Sequence, residues 1–355
     1  MLELSILRKK GGGAGVKANA FPRAVVESLV DRSIRKIAED PERGLRNLVD
    51  IGAVMATGRF QKQYMGLVQG MLRDENCPYY ELVCRLVRET SRRSLTTFGV
   101  NVGWQSWTVG ARRIRSLETA RGVDIPWSLT LRMEGGGAAA DWAELVRRGQ
   151  EAGVYTYFVH TNGDRAALEA AARLAEGAPL CAFLLFSSPG AVSRAMGQLG
   201  ALDNVMTLVD AGGAGWQEAA GQLREERRLC GFWRLCAADG DVEQAESWLE
   251  ELRHEEEPVV FLLAGPGCTA AGRSRLCEFT RDAWERQRYP MLVFDYYSDI
   301  LLVDKIISGS ACFAGVLPDG RPTVCRDGRE LAAEAGEALF VRALLGRPAA
   351  REKIS

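Results

Sequence analysis

The chain of 355 residues is long enough for about two domains, or for one barrel-type α/β domain with additions. Its 47% hydrophobic and 26% charged residues are typical of a globular protein. A net charge of −1 argues against a nucleic-acid partner, because such a surface carries an excess of basic side chains.

The first 120 residues have the pattern of a mostly helical region. Residues 23–40 place apolar side chains at helical spacing. Pro41 opens a second helix, predicted to continue through 45–72, and a third is predicted over 79–99.

Residues 121–300 alternate between short apolar segments and helical segments. The strands are predicted at 128–133, 154–160, 181–187, 204–210, 229–236, 259–265 and 290–297. Helices are predicted between them at 141–153, 165–177, 191–200, 215–228, 241–256 and 273–287. This order indicates right-handed βαβ units and a parallel sheet. We therefore predict an α/β protein with a partial or complete barrel, whose functional residues follow the strands.

Residues 301–355 form a predicted C-terminal extension with a small hairpin and a terminal helix. Pro318-Asp319-Gly320 lies between two short apolar segments. Proline presets one corner of a turn and glycine supplies an unusual dihedral at another, so these residues predict the hairpin turn.

The sequence contains nine cysteines but only two histidines. Their odd number and scattered spacing, without any Cys-x-x-Cys, argue against a disulfide framework and a zinc ribbon. The start of the sequence lacks a signal-peptide pattern, and no apolar run reaches the roughly 18–20 residues that span a bilayer. We therefore expect a cytoplasmic protein with reduced thiols and no membrane span.

The order of these segments resembles the radical S-adenosylmethionine (SAM) superfamily, in the branch with a cysteine-bearing C-terminal extension. The resemblance extends from about Phe98 to Cys325 and rests on the phrases GVDIPWSLTLRM, DWAELVRRGQEAGVYTYFVHTNGD, APLCAFLLFSSPG, NVMTLVDAGG, PMLVFDYYSD and FAGVLPDGRPTVC. It implies an α/β fold with a partial barrel of the (β/α)6 type, which would use a [4Fe–4S] cluster and SAM.

The chain departs from this family at its functional positions. Active members carry Cys-x3-Cys-x2-Cys after the first strand, whereas the corresponding loop here, 134–142, has neither cysteine nor histidine. The family's Gly-Gly-Glu reads Asn162-Gly163-Asp164, and its Ser-x-Glu-Gly is reduced to a phrase containing Asp210. The resemblance thus implies a vestigial SAM pocket at these four residues and no bound cofactor.

Three further groups of candidate residues remain. His160 ends a predicted strand, where it could act as a general acid or base or make a structural hydrogen bond. The resemblance places the substrate pocket at Asp295, Tyr296, Tyr297 and Asp299. An auxiliary iron–sulfur cluster would need Cys268, Cys277, Cys312 and Cys325, which could equally be buried structural thiols.

The predicted function is a non-catalytic partner, scaffold or regulator of an active enzyme, such as an active radical SAM homologue. Two alternatives remain open. One is a radical SAM oxidoreductase with atypical iron–sulfur ligands, and the other is a barrel that binds a nucleoside-type small molecule without redox chemistry.

Overall fold

The computed structural model describes residues 22–56, 59–134, 141–253, 258–307 and 311–345, except for the side chains of 59–61. His254 and most of the loop 134–142 lie outside the described residues. No helix within the described ranges has the length and apolarity needed to cross a membrane.

The N-terminal region is helical, as predicted. Its helices are α1 (Arg23–Glu39), α2 (Pro41–Met55), α3 (Arg59–Met71), α4 (Pro78–Glu89), α5 (Arg92–Val100), a π-helix (Asn101–Gly110) and α6 (Ala111–Arg121). The segments predicted as single helices over 45–72 and 79–99 are each two helices. The second divides because the Ser91 side chain accepts from the backbone N–H of Ser94 and starts a new helix.

Strands and helices alternate from residue 128 onward. The strands are β1 (Ser128–Arg132), β2 (Thr156–His160), β3 (Ala182–Ser187), β4 (Val205–Asp210), β5 (Cys230–Ala238), β6 (Val259–Gly267), β7 (Leu292–Asp295), β8 (Gly315–Val316), β9 (Pro322–Arg326) and β10 (Arg329–Ala332). The helices are α7 (Trp142–Ala152), α8 (Arg165–Gly177), α9 (Pro189–Leu199), α10 (Trp216–Glu225), α11 (Asp239–Leu252), α12 (Ala270–Glu285), α13 (Tyr296–Ile307) and α14 (Leu339–Leu344).

Within the described residues, ten strands form one sheet in the order β10-β9-β8-β1-β2-β3-β4-β5-β6-β7. Strands β1 to β7 correspond to the seven predicted strands and are parallel, and β8 also runs parallel to β1. The sheet curls into a half-barrel, which confirms the predicted α/β partial barrel at this level. The predicted hairpin turn is also confirmed, since β8 and β9 pair antiparallel around it.

Helix α13 fills the inside of the curled sheet. It begins at Tyr296, where the sequence predicts a continuing strand, because Asp295 accepts from the backbone N–H groups of Tyr297 and Ser298 and caps the new helix. The helix then returns along β1, where the indole N–H of Trp127 donates to the Ile300 carbonyl at 3.1 Å. The predicted domain boundary at residue 300 therefore lies inside this helix.

The N-terminal helices cover the amino ends of the barrel strands. The buried amide of Asn101 donates to the carbonyls of Pro179 and Cys181 at 3.0 and 2.8 Å, just before β3. Ser106 shares a 2.8 Å hydrogen bond with Thr156 at the start of β2. These contacts leave the carboxyl ends of the strands, on the opposite side, as the place for a functional site.

Candidate functional site

His160 lies at the carboxyl end of β2 and is fully buried. Its Nε2 shares a 2.9 Å hydrogen bond with the Tyr296 hydroxyl, which shares another of 2.8 Å with Thr130. Its ring stacks on Phe186 with centroids 4.3 Å apart. Burial, together with the positive charge of Arg132, holds the pKa of His160 well below its ordinary value, so the imidazole is neutral.

A buried ion pair lies beside this histidine. Arg132, the last residue of β1, donates to the Glu330 carboxylate from both Nε, at 3.0 Å, and a terminal nitrogen. The side chains are 16% and 7% exposed. Thr323 donates to the other Glu330 oxygen at 2.6 Å. Burial opposes the charge on Arg132, but Glu330 raises the pKa of Arg132 above its ordinary value, so the guanidinium remains charged.

Two polar atoms next to this pair have no hydrogen-bond partner among the described residues. They are Nδ1 of His160 and one carboxylate oxygen of Glu134, both buried. Burial raises the pKa of Glu134, although Arg132 acts in the opposite direction.

The positions predicted as a vestigial SAM pocket form two separate strand-to-helix turns. After β2, Asn162 and Gly163 have positive φ angles of 41° and 80°. Asp164 then caps α8 by accepting from two backbone N–H groups. After β4, Asp210 accepts from the Gly212 N–H at 2.9 Å, and burial raises its pKa. Asp164 and Asp210 therefore each stabilise their own turn.

The predicted substrate-pocket residues lie together at the junction of β7 and α13. Asp295 accepts from the Ser298 hydroxyl at 2.9 Å besides capping the helix, and Asp299 accepts from the Asp295 N–H at 2.8 Å. Burial and the nearby Asp295 carboxylate raise the pKa of Asp299 to about 7. Tyr297 packs edge-on against Phe313. These contacts stabilise the junction of β7 and α13, and the substrate pocket stays a prediction.

The four cysteines predicted for an auxiliary cluster lie on separate elements. Cys268 follows β6, Cys277 lies in α12, Cys312 precedes β8, and Cys325 lies in β9. Burial raises the pKa of Cys268 and of Cys312, and raises that of Cys325 to about 11, which favours protonated thiols over thiolate ligands. In the described part of the chain, no three His, Cys, Asp or Glu side chains are placed to hold a metal ion. Within the described residues, these four cysteines are therefore not brought together as one set of metal ligands.

The β9–β10 hairpin lies across the carboxyl ends of the strands. Arg329 of β10 donates to the Cys268 carbonyl at 2.7 Å, next to the end of β6. Arg273 of α12 donates to the same carbonyl and to that of Asp327 at the hairpin tip. These contacts hold the hairpin at the carboxyl end of β6, and the ion pair of Arg132 and Glu330 holds it at the carboxyl end of β1.

Sequence reasoning found His160 but missed the charged residues around it. Arg132, Glu134 and Glu330 belong to the same polar cluster. Arg132 could have been found from its place at the end of a predicted strand, where barrel sites lie. Glu330 could not, because its contact with β1 depends on how the extension folds back.

Comparison of the chain with family models, curated proteins and solved structures found no match. The interpretation of the site therefore rests on its own geometry, and the resemblance to radical SAM proteins stays a prediction.

Proposed function

We propose that the chain is a radical SAM-like half-barrel that serves as a non-catalytic partner of an active enzyme of that superfamily. The observation that carries this proposal is the closed mouth, where Arg132 and Glu330 form a buried ion pair between β1 and the C-terminal hairpin. In a barrel enzyme the same place must admit a substrate.

The packing below the mouth supports the same proposal. Tyr296 packs edge-on against Phe158 and Phe186, with centroids 5.6 and 5.4 Å apart, and Phe186 stacks on His160. Aromatic side chains thus fill the space inside the strands where a small molecule would bind in an active barrel. The neutral, buried His160 lacks a described carboxylate partner that would make it a base, which disfavours acid–base catalysis.

The test is anaerobic purification of the full chain from its native host, with iron content and co-purifying proteins measured together. We expect a cluster-bearing protein in the complex, while the separated chain reconstituted with iron and sulfide holds far less than one cluster and forms no 5′-deoxyadenosine from SAM. Stoichiometric iron with 5′-deoxyadenosine formation would overturn the proposal in favour of the oxidoreductase alternative.

Cysteine variants distinguish a specific cluster from adventitious iron. If the chain were an enzyme with atypical ligands, Cys268→Ser and Cys325→Ser should remove iron and activity. Cys181→Ser is the matched control, because Cys181 is fully buried at the amino end of β3, on the side of the sheet opposite the barrel mouth. Equal iron in all three variants supports the non-catalytic assignment.

A further inference from the structure

A groove with a volume of about 490 Å³ lies among the N-terminal helices and is open to solvent. Helices α1 to α5, the π-helix and the end of α13 form its walls. Within the described residues, the lining includes no charged side chain, and most of it is aliphatic. Apolar walls in contact with water are unfavourable, so the groove favours an occupant that is itself apolar.

The groove has room for the side chains of an added segment. Gly99 of α5 and Gly103 of the π-helix line it, and a Cβ built on either would meet no atom within 4 Å. Other apolar side chains on the lining helices are exposed, with Val54 of α2 at 45% and Leu302 of α13 at 40%. Exposed apolar surface of this kind is typical of an interaction site.

One segment outside the described residues has the composition of such an occupant. Residues 1–7, MLELSIL, contain five large apolar side chains and one charged side chain. The longer segments elsewhere outside the described residues have no comparable run. Residues 135–140 are glycine and alanine, 254–257 are mostly glutamate, and 346–355 include one large apolar residue.

The chain connects residues 1–7 directly to a wall of the groove. The 14 residues 8–21 can span at most about 50 Å, since an extended residue covers roughly 3.3–3.6 Å. Helix α1 then begins at Arg23 and lines the groove from Val26 to Ile37, over about 17 Å. The segment can therefore reach any part of the groove, at an effective concentration on the order of millimolar.

We propose that residues 1–7 dock in this groove of their own chain and cover it reversibly. The apolar side chains of the segment leave water on docking, which is the driving force. Ordering seven residues costs conformational entropy that offsets much of this gain, so the docked segment exchanges with the open groove. Other apolar segments then gain the groove only by competition with residues 1–7. The proposal is independent of whether the barrel mouth is catalytic.

Photocrosslinking in the full chain tests the location. With p-benzoylphenylalanine in place of Leu4, we expect crosslinks within one chain to lining residues such as Met55 and Met65, mapped by mass spectrometry. The same photoreactive residue in place of Val16 is the matched control and should crosslink there far less, because Val16 belongs to the connecting residues. Crosslinks between two chains, or equal crosslinking from both positions, would overturn the proposal.

Filling the groove tests whether its free space holds the segment. Gly103→Leu should leave the fold intact, since the new side chain enters open space, and should lower the crosslinking yield from position 4. Gly66→Leu in α3 is the matched control, because Gly66 has the same open surroundings but does not line the groove. Equal yields in the two variants would place residues 1–7 elsewhere and contradict the proposal.

A synthetic peptide of residues 1–10 tests the competition in a way that does not depend on crosslinking. Calorimetry should give the full-length Leu4→Asp variant an affinity for the peptide about tenfold higher than that of the unchanged chain, whose own segment occupies the groove. Val16→Asp is the matched control and should bind the peptide as weakly as the unchanged chain. Equal affinities in all three chains, or no binding to any of them, would overturn the proposal.

Discussion

The ion pair of Arg132 and Glu330 joins the first barrel strand to the C-terminal hairpin. Charges this deeply buried are costly to remove from water, and their attraction compensates only while both partners are present. The pair should therefore contribute more to the stability of the closed mouth than the exposed ion pairs on the outer helices contribute to theirs, since exposed pairs add little free energy.

We expect Glu330→Gln to lower the free energy of unfolding by about 3 kcal/mol, because it leaves the Arg132 charge buried without a partner. Denaturation with urea measures this. Glu334→Gln is the matched control: Glu334 pairs with Arg326 from a side chain that is 76% exposed, and its loss should cost less than about 0.5 kcal/mol. Equal costs in the two variants would contradict the buried pair.

Asp299 makes stability depend on pH in the direction opposite to an ordinary carboxylate. Its pKa is raised to about 7 in the folded protein, so between about pH 4 and 7 the folded state binds more protons than the unfolded state. The stabilisation is complete below pH 4 and is lost as the pH rises through 7. We expect Asp299→Asn to remove a decline on the order of 2 kcal/mol between pH 4 and pH 8.

Urea midpoints across this pH range, compared with Asp319→Asn, isolate that contribution. Asp319 lies in the exposed β8–β9 turn, where it accepts from the Arg321 N–H. The two variants should differ in slope against pH, and parallel curves would show that Asp299 titrates normally.

At the scale of elements, the β9–β10 hairpin decides whether the barrel mouth is open. Its contacts with the end of β6 go through single side chains, with Arg329 donating to the Cys268 carbonyl. An element held in this way can open without the sheet unfolding. Cys268 is 1% exposed in the closed arrangement and so reports on opening.

We expect Arg329→Ala to raise the alkylation rate of Cys268 by iodoacetamide about tenfold, since the hairpin loses a hydrogen bond that resists opening. Mass spectrometry measures the rate at each thiol. Cys181, which is fully buried in the core, serves as the reference within the same sample and should be unaffected. Parallel acceleration at both thiols would indicate general unfolding instead.

At the scale of the whole molecule, the N-terminal helices and the half-barrel share one core. Ala111 and Ile114 of α6 belong to the same apolar cluster as the strands, and Trp107 of the π-helix packs against it. Asn101 connects the helices to the loop before β3. A smaller cluster around Ile37, Leu45 and Tyr80 lies within the helical region.

This shared core predicts one unfolding transition for the helical region and the barrel. Asn101→Ala should lower stability by about 2 kcal/mol, since it removes the hydrogen bond to the Pro179 carbonyl and one of the two side-chain hydrogen bonds to the buried Cys181 carbonyl, which Asn204 also contacts. Hydrogen exchange in α1 and in β3 should increase together in the variant. An increase confined to α1 would mean that the helices unfold independently.

The sequence predicted the elements well where local pattern decides them. Residues 154–160 and 181–187 coincide closely with β2 and β3, because buried parallel strands are continuous apolar runs between helices. It failed at Asp295, where one capping side chain ends a strand that the apolar pattern continues. Capping depends on a few hydrogen bonds that periodicity does not detect.

The candidate site was less predictable than the fold. The position of His160 follows from strand order, but its neutral state depends on burial and on Arg132, and the Glu330 contact joins residues far apart in the chain.

The pairing of β8 with β1 has a consequence for how the chain is made. Thr130 pairs with Gly315, so the first barrel strand gains its second neighbour only after nearly the whole chain has left the ribosome. Until then its free edge can pair with other exposed strands. Such long-range pairing forms slowly. A chain truncated before β8 should therefore aggregate during synthesis, although it still contains the six parallel strand pairs from β1 to β7.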